Sequence, residues 1–220
     1  MKESGQRDQQ QANKDSVFAF GTSMRPSRLS NEIESQDFNG RAFDVLEYLS
    51  ETEALTVSAA TNLLKKSRFV ASKSFNCLWY AGLVRWVTVA ANAAVFKLWL
   101  TTDVRLPNNA AEACRMAALG LYYSHAKKEV PGFEWRLVRS NKKPTFAEMS
   151  YLPKGQTEKV KMIIDAPRRK EKPNPDASLY IFPTVNEAKE LVPKGKRFTS
   201  DLHLMQHDNS TLTQKLFEIS

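Results

Sequence analysis

Residues 56–86 read TVSAATNLLKKSRFVASKSFNCLWYAGLVRW, and no other stretch of the chain carries as clear a structural signal. Thr56 is a residue type that caps helix N-termini, and the apolar residues after it recur with helical spacing. A basic break at residues 65–67 precedes a second helical pattern, which runs to Tyr80 and is followed by Gly82, a typical capping glycine. The stretch predicts two helices joined by a short turn.

An earlier helix and a later hairpin flank these two helices. Residues 41–50 place their apolar side chains with helical spacing, which predicts a first helix. Beyond residue 82 the apolar period falls from about 3.6 to about 2, which indicates strands over residues 83–89 and 95–100. Three helices followed by a hairpin is the order of elements in a winged helix-turn-helix domain.

The predicted hairpin has two features of its own. Its turn, residues 90–94, contains no Lys or Arg, so we expect no phosphate contact from the turn. Alternation along the second strand separates Val95, Lys97 and Trp99 from Leu98, and we predict that Val95 and Trp99 are exposed. Exposed apolar residues at this place predict that the hairpin packs on the second domain or on a partner subunit.

The charge distribution favours a polyanionic partner. The chain has 32 Lys and Arg residues against 24 Asp and Glu residues, a formal net charge of +8 at pH 7, which favours nucleic acid. Six basic side chains and no acidic one lie between residues 65 and 100. Phosphates would repel carboxylates on a helix in the major groove, so this segregation favours DNA binding over an ordinary solvated basic surface.

The third predicted helix presents the residues that would read DNA. Its register turns Phe69 or Val70 inward and leaves Arg68 and Asn76 outward, where Arg suits guanine and Asn suits adenine. The neighbouring lysines suit phosphates. A basic, Pro-rich loop over residues 167–175 either tracks the DNA backbone or is simply solvated. The predicted DNA-binding residues are Lys65, Lys66, Arg68, Ser72, Lys73, Asn76, Arg85, Lys97, Arg168, Arg169 and Lys170.

The patterns together predict an α+β protein in three parts. These are a flexible N-terminal tail over residues 1–38, a winged helix-turn-helix domain over residues 39–106 and a small basic α/β domain over residues 107–220. The apolar cluster at residues 17–20 is the segment of the tail that would dock on the body or on a partner. In the last part we predict strands at 133–139, 160–164, 177–182 and 198–205, and helices at 184–191 and 211–217. We also predict a long helix that is capped by Asn108 or Asn109 and runs to Lys128.

Two resemblances to known families extend this interpretation. The sequence WYAGLV at residues 79–84 resembles the junction of the winged-helix family, in which Gly-Leu-Val joins the recognition helix to the first wing strand. The sequence NPDA at residues 174–177, with the strand after it and the polar run at residues 206–211, is similar to the plasmid replication-relaxation family and to MobC-type relaxases. The second resemblance implies a second domain of restriction-endonuclease type. It also implies a plasmid or mobile-element setting, with a role in conjugation, replication or transcription regulation.

The second resemblance also implies residues for a metal site. In active nucleases of this kind an Asp and a nearby Glu bind Mg²⁺ or Mn²⁺, and Asp176 matches that Asp. Gln206 stands where the second carboxylate is expected, and a neutral amide cannot offset the charge of a metal. A degenerate, non-catalytic domain without a cofactor is therefore the expectation. The carboxylates that would compensate are Asp201, Asp208 and Glu187.

Other metal and membrane signals are weak. His203 and His207 have a spacing that suits one face of a helix, but this region is predicted to be a strand, so no metal site is expected. Cys77 and Cys114 lie far apart in sequence, which indicates a reducing, cytoplasmic compartment. No apolar run approaches the roughly 18 residues that a membrane span needs, so no membrane partner is expected.

Three functions remain open at this point. The first is an accessory or regulatory protein that binds double-stranded DNA, as a possible homodimer or with a plasmid-transfer or replication protein. The second is a metal-dependent relaxase or nuclease that nicks DNA. The third is a winged-helix module that binds another protein through the hairpin around Trp86 and Trp99.

Overall fold

The computed structural model describes residues 15–30, 40–91, 94–140, 143–206 and 210–218, which form helices and two β-sheets. This confirms the predicted α+β class. In chain order the elements are β1 (Gly21–Pro26), α1 (Gly40–Thr52), β2 (Ala54–Thr56), α2 (Val57–Leu64), α3 (Arg68–Tyr80), β3 (Val84–Ala91), β4 (Val95–Thr101), α4 (Ala110–Glu129), β5 (Glu134–Val138), β6 (Phe146–Tyr151), β7 (Val160–Asp165), β8 (Leu179–Phe182), α5 (Val185–Leu191), β9 (Arg197–Ser200), α6 (Asp201–Met205), a 3₁₀ turn (Thr213–Lys215) and β10 (Phe217–Glu218).

Two of the caps at the ends of α2 and α3, Thr56 and Gly82, are the ones that the sequence predicts, and the structure adds a third at Ser67. The Thr56 hydroxyl accepts a hydrogen bond from the backbone N–H of Ala59 at 3.2 Å, and Ser67 caps α3 in the same way. At the other end of α3, Gly82 has a φ of 72°, and the N–H of Leu83 donates to the Leu78 carbonyl at 3.0 Å. These local bonds fix the ends of the two helices within residues 56–86.

The first sheet has the strand order β1-β3-β4-β2, with antiparallel neighbours throughout. The hairpin of β3 and β4 is the one that the sequence predicts. The three-residue strand β2 was not predicted. It lies between α1 and α2 and pairs with β4, so that Ala54 is opposite Leu100 and Thr56 is opposite Leu98.

The prediction of a flexible N-terminal tail is wrong for residues 15–30. Strand β1 extends the sheet beyond β3, and Phe18 is only 2% exposed, with its ring edge-on to Phe96. Gly21 also lies tightly against α4, since a Cβ there would be 2.4 Å from the Ala110 carbonyl oxygen. The predicted docking of the cluster at residues 17–20 is therefore found on the body of the protein. Residues 1–14 and 31–38 lie outside the described residues.

The second sheet has the strand order β10-β9-β8-β7-β6-β5, with β7, β8 and β9 parallel and the outer pairs antiparallel. Strand β6 was not predicted. The strand predicted at residues 198–205 is wrong beyond Ser200, because the Ser200 hydroxyl accepts a hydrogen bond from the His203 N–H and starts α6. The closing helix predicted at residues 211–217 is also wrong, since only a 3₁₀ turn forms before β10.

Helix α4 lies between the two sheets and joins their cores. Almost every residue of α4 up to Ala126 is buried. One face of the first sheet, including Val87 and Leu98, shares a hydrophobic cluster with α4 and with Ile164 and Ile181 of the second sheet. A continuous core therefore crosses the domain boundary predicted between residues 106 and 107.

The other face of the first sheet packs against α1, α2 and α3. Trp99 lies in this second cluster, only 2% exposed, and stacks on Phe75 with the ring centroids 4.8 Å apart. The predicted exposure of Trp99 is thus wrong, because the helices cover the side of the strand that alternation left open. Val95, nearer the turn, is 67% exposed, as predicted. Among the described helices, none is long and apolar enough to cross a membrane.

Candidate nucleic-acid interface

The outward face of α3 carries the polar side chains that the helical register predicts. Arg68, Lys73 and Asn76 are exposed and Ser72 is half-buried, while Ala71, Ser74, Phe75 and Leu78 on the opposite side are buried. The helix starts at its Ser67 cap with no acidic residue in its first turn. A helix with this face free of carboxylates can approach phosphates without repulsion.

Phe69 is an unexpected member of this face. It is 76% exposed, while Val70 is the half-buried neighbour, so of the two alternatives it is Val70 that turns inward. Tyr80, three turns further along the helix, is 41% exposed. The outward face of α3 therefore mixes cations, an amide and aromatic rings, and such rings can contact a thymine methyl group or a protein partner.

The turn between α2 and α3 adds two cations at the start of α3. Lys65 ends α2 in a left-handed conformation with a φ of 50°, and its N–H donates to the Asn62 carbonyl. Lys65 and Lys66 are both exposed. Their position beside Arg68 places three positive charges within four residues at one end of the helix.

The first sheet carries further cations on the side where α3 packs. Lys97 lies opposite Thr88, and Thr88 lies opposite Arg25 of β1, so the three residues form one row across the sheet. The Lys97 ammonium lies 4.1 Å from the centre of the Trp86 ring, a cation–π distance. Arg25 is exposed, and sequence reasoning missed it because it placed this residue in a flexible tail.

Trp79 connects α3 with this row of the sheet. Its ring centroid is 5.3 Å from that of Trp86, and its indole N–H donates to the Arg28 carbonyl at 3.3 Å. Arg28 is also exposed. We call the exposed cations and polar groups of α3, the α2–α3 turn and this edge of the sheet the basic face. Its members are Arg25, Arg28, Lys65, Lys66, Arg68, Ser72, Lys73, Asn76 and Lys97.

Arg85 does not belong to the basic face in the manner predicted. It is half-buried in β3, and its guanidinium donates to the Val104 carbonyl at 2.5 Å. This bond ties the hairpin to the chain that leaves it. The side chain thus has a structural contact, and we leave it out of the basic face.

The basic loop after β7 is turned largely inward, whereas the sequence left open a loop that tracks the DNA backbone and a loop that is simply solvated. Arg168 is 3% exposed and forms an ion pair with Asp201 at 2.7 Å. Burial raises the pKa of Asp201, while the Arg168 charge opposes that rise. Arg169 pairs with Asp15 and Glu187 at 2.9 and 2.7 Å, and of the three predicted residues only Lys170 is exposed. The sequence could not reveal this burial, because the acidic partners of Arg168 and Arg169 are distant from them in the chain.

The carboxylates named for a metal site are separated in space or already engaged. Asp176 is exposed in an Asx turn, in which its N–H donates to the Asn174 side chain at 3.1 Å. Asp201 and Glu187 hold the two arginines just described, and Asp208 lies outside the described residues, as does His207. Within the described part of the chain, no group of three His, Cys, Asp or Glu side chains is placed to hold a metal ion.

Comparisons with known proteins identify no relative of this chain. No family model, no curated protein and no solved structure matches the chain. The two family resemblances therefore rest on the residues quoted for them, and the function has to be argued from the basic face itself.

Proposed function

We propose that this protein binds double-stranded DNA through a winged helix-turn-helix in which α3 enters the major groove. The observation that carries the proposal is the outward face of α3, where Arg68, Lys73 and Asn76 are exposed together, next to the lysines of the α2–α3 turn. The order α1-β2-α2-α3-β3-β4, with β2 paired to β4, supports the winged-helix interpretation.

The members of the basic face have different proposed tasks. Arg68 and Asn76 can each make two hydrogen bonds to a base edge, worth roughly 1–3 kcal/mol of discrimination apiece. Lys65, Lys66 and Lys73 hold phosphates and fix the position of the helix without reading sequence. Arg25 and Lys97 extend the positive surface onto the sheet, where they contact the backbone beside the groove.

The second sheet acts, in this proposal, as a platform for the DNA-binding part. Helix α4 lies under the first sheet and fixes the hairpin, and the ion pairs of Asp201 and Glu187 hold the loop after β7. We infer an accessory or regulatory role. The setting is a plasmid or other mobile element, as the resemblance implies, so DNA from the upstream and origin regions of its own replicon is the first to test.

Fluorescence anisotropy tests this function directly. The full chain is titrated with labelled upstream or origin DNA and with scrambled DNA of equal length, at two salt concentrations. We expect tighter binding to its own DNA, with affinity that falls steeply as salt rises because counterions are released from phosphates. Equal, weak binding to both DNAs would remove sequence recognition from the proposal.

Two other outcomes would each favour a different function. Absence of DNA binding at both salt concentrations would favour a protein-interaction module, for which the exposed Phe69 ring is the specific supporting observation. Cleavage of origin DNA with Mg²⁺ or Mn²⁺, lost in Asp176→Ala while DNA binding is retained, would favour the nuclease alternative.

A further inference from the structure

A groove of about 520 Å³ lies where α2, α4 and α6 meet, on the side of the α2–α3 turn. We call the three apolar residues that line it, Leu121, Leu204 and Met205, its floor. The other described residues that line it are polar and include Ser58 and Thr61. Pockets for small molecules in proteins are typically roughly 300–1,000 Å³ and combine an apolar floor with a few polar groups. The groove therefore has the size of a small-molecule site, with a lining that is mostly polar.

Three lysines surround this groove. Lys65 and Lys66 come from the α2–α3 turn and Lys128 comes from α4. None of the ion pairs found among the described residues includes any of the three. Positive charges that converge on one concave surface favour a ligand that carries several negative charges.

Lys128 is held in place by neutral groups. Its ammonium donates to the Asn62 side-chain oxygen at 2.8 Å, and the Asn62 amide donates to the Ser124 hydroxyl at 2.9 Å. Partial burial, together with the nearby charge of Lys65, holds the pKa of Lys128 below its usual value. An anion between Lys65 and Lys128 would relieve this repulsion.

Among the described residues that line the groove, Glu129 is the acidic one, and its carboxylate accepts a hydrogen bond. Both carboxylate oxygens of Glu129 lie within hydrogen-bond distance of the Leu212 N–H, at 2.7 and 2.6 Å. The His125 ring nitrogen Nε2 lies 2.8 Å from the Leu204 carbonyl, which orients the ring beside the floor. These contacts orient the Glu129 and His125 side chains at the groove.

We propose that this groove binds a small organic phosphate, with the phosphate between the three lysines and the organic part on the apolar floor. A DNA backbone needs only the cations, so the concave apolar floor favours the small ligand over DNA as occupant. Lys65 and Lys66 belong to both the groove and the basic face. A bound phosphate therefore competes with DNA, a consequence that rests on the proposed DNA binding.

To test the site, inorganic phosphate or a 5′-nucleoside monophosphate is titrated into the full chain. Binding is monitored by the shifts of its ¹H–¹⁵N NMR signals. We expect shifts around Asn62, Ser124 and Lys128, and an affinity at least about tenfold weaker in Lys128→Gln, since one charge-assisted contact is lost. Lys161→Gln, which removes an exposed lysine on β7, is the matched control and leaves the affinity unchanged. The proposal is overturned if neither probe changes the spectrum at roughly tens of millimolar. It is also overturned if Lys128→Gln and Lys161→Gln bind the probes with equal affinity.

A DNA titration separates this proposal from the proposed function. Nucleoside monophosphate lowers the DNA affinity of the unmodified chain but not that of Lys128→Gln, and Lys128→Gln alone binds DNA normally. If Lys128→Gln instead weakens DNA binding and the small phosphates do not bind, the groove holds DNA backbone and the proposal is wrong. If the phosphates bind but DNA does not, the groove site stands and the DNA-binding function fails.

Discussion

Phe69 is exposed over 76% of its surface at the start of α3, between the proposed base-reading Arg68 and the polar residues of the next turn. An apolar ring in this position contributes little to the folded state, because it contacts little of it. Exposure of the ring to water is unfavourable, and this is relieved when another molecule covers the ring. A change at Phe69 should therefore alter the affinity for a partner but not the free energy of unfolding.

We predict that Phe69→Ala leaves the free energy of unfolding within about 0.5 kcal/mol of the original, as exposed substitutions usually do. If α3 reads DNA as proposed, DNA affinity should fall several-fold, most for sites with thymine under the start of α3, because the exposed ring would contact thymine methyl groups. Phe43→Ala on α1, also exposed, is the control and should leave DNA affinity unchanged. Denaturant unfolding and anisotropy measure the two quantities, and a loss of stability without a loss of affinity would contradict the prediction.

The two cysteines should differ in reactivity. Cys114 is buried in α4, and burial raises the pKa of its thiol to about 12, so the reactive thiolate is scarce at neutral pH. Cys77 is half-buried on α3. We expect iodoacetamide to modify Cys77 first in the folded protein and Cys114 only after unfolding, as measured by peptide mass spectrometry. Early modification of Cys114 would show that the α4 core opens readily.

At the scale of elements, the start of α4 is held by Glu112. Its carboxylate accepts hydrogen bonds from the Asn108 N–H, the Arg139 guanidinium and the Thr145 hydroxyl, at 2.6, 3.0 and 2.9 Å. Burial by itself would raise the pKa of Glu112, but these donors outweigh burial and hold the pKa below its usual value. Glu112 thus joins the helix to the segment between β5 and β6.

A lowered pKa in the folded state makes the Glu112 contribution pH-dependent. The contribution is complete above the ordinary Glu pKa of about 4.3 and is lost as the pH falls through the lower, folded value. We predict that Glu112→Gln costs about 2 kcal/mol of unfolding free energy at pH 7 and clearly less at the acid end. Urea unfolding at several pH values measures this. The control is Glu190→Gln, at an exposed residue of α5, which should change neither the unfolding free energy at pH 7 nor its dependence on pH. An equal cost of Glu112→Gln at all pH values would contradict the proposed role of the Glu112 charge.

The sequence predicts those elements whose signals are local. The caps at Thr56, Gly82 and Asn109 lie within a few residues of the bonds they make, so α2, α3 and α4 begin or end where expected. Strands β1 and β2 are short, and their pairing partners are more than 40 residues away, so alternation over a few residues could not reveal them. The outward register of α3 could be predicted because it depends on local periodicity. The burial of Arg168 could not, because its partner Asp201 is 33 residues away.

At the scale of the whole molecule, α4 is the element that both sheets share. Val87 and Leu98 of the hairpin pack on it from one side, and Ile164 and Ile181 of the second sheet belong to the same cluster. The proposed DNA-binding part shares its core with α4 and is therefore fixed relative to the second sheet. The hairpin beside α3 is thereby fixed as well.

We predict that a fragment of residues 39–106 does not fold by itself. It would lack α4, which covers the inner face of the hairpin, and β1, which pairs with β3, and so would expose Val87, Leu98 and Leu100 to water. The full chain should unfold in one cooperative transition, seen alike by far-UV and near-UV circular dichroism. A cooperative melt of the fragment would show that residues 39–106 are an independent domain after all.

If the basic face, and not the net charge, binds DNA, two charge-reversed variants with the same net charge should differ in DNA affinity. Arg68→Glu/Lys73→Glu changes the outward face of α3. Lys189→Glu/Lys194→Glu makes the same change in net charge at exposed sites on and beside α5. In anisotropy titrations against the preferred DNA, the first variant should bind at least about tenfold more weakly, with a salt slope reduced by about one or two phosphate contacts. The second variant should bind nearly as the unmodified protein does. Equal losses in the two variants, or full affinity in the first, would contradict the claim.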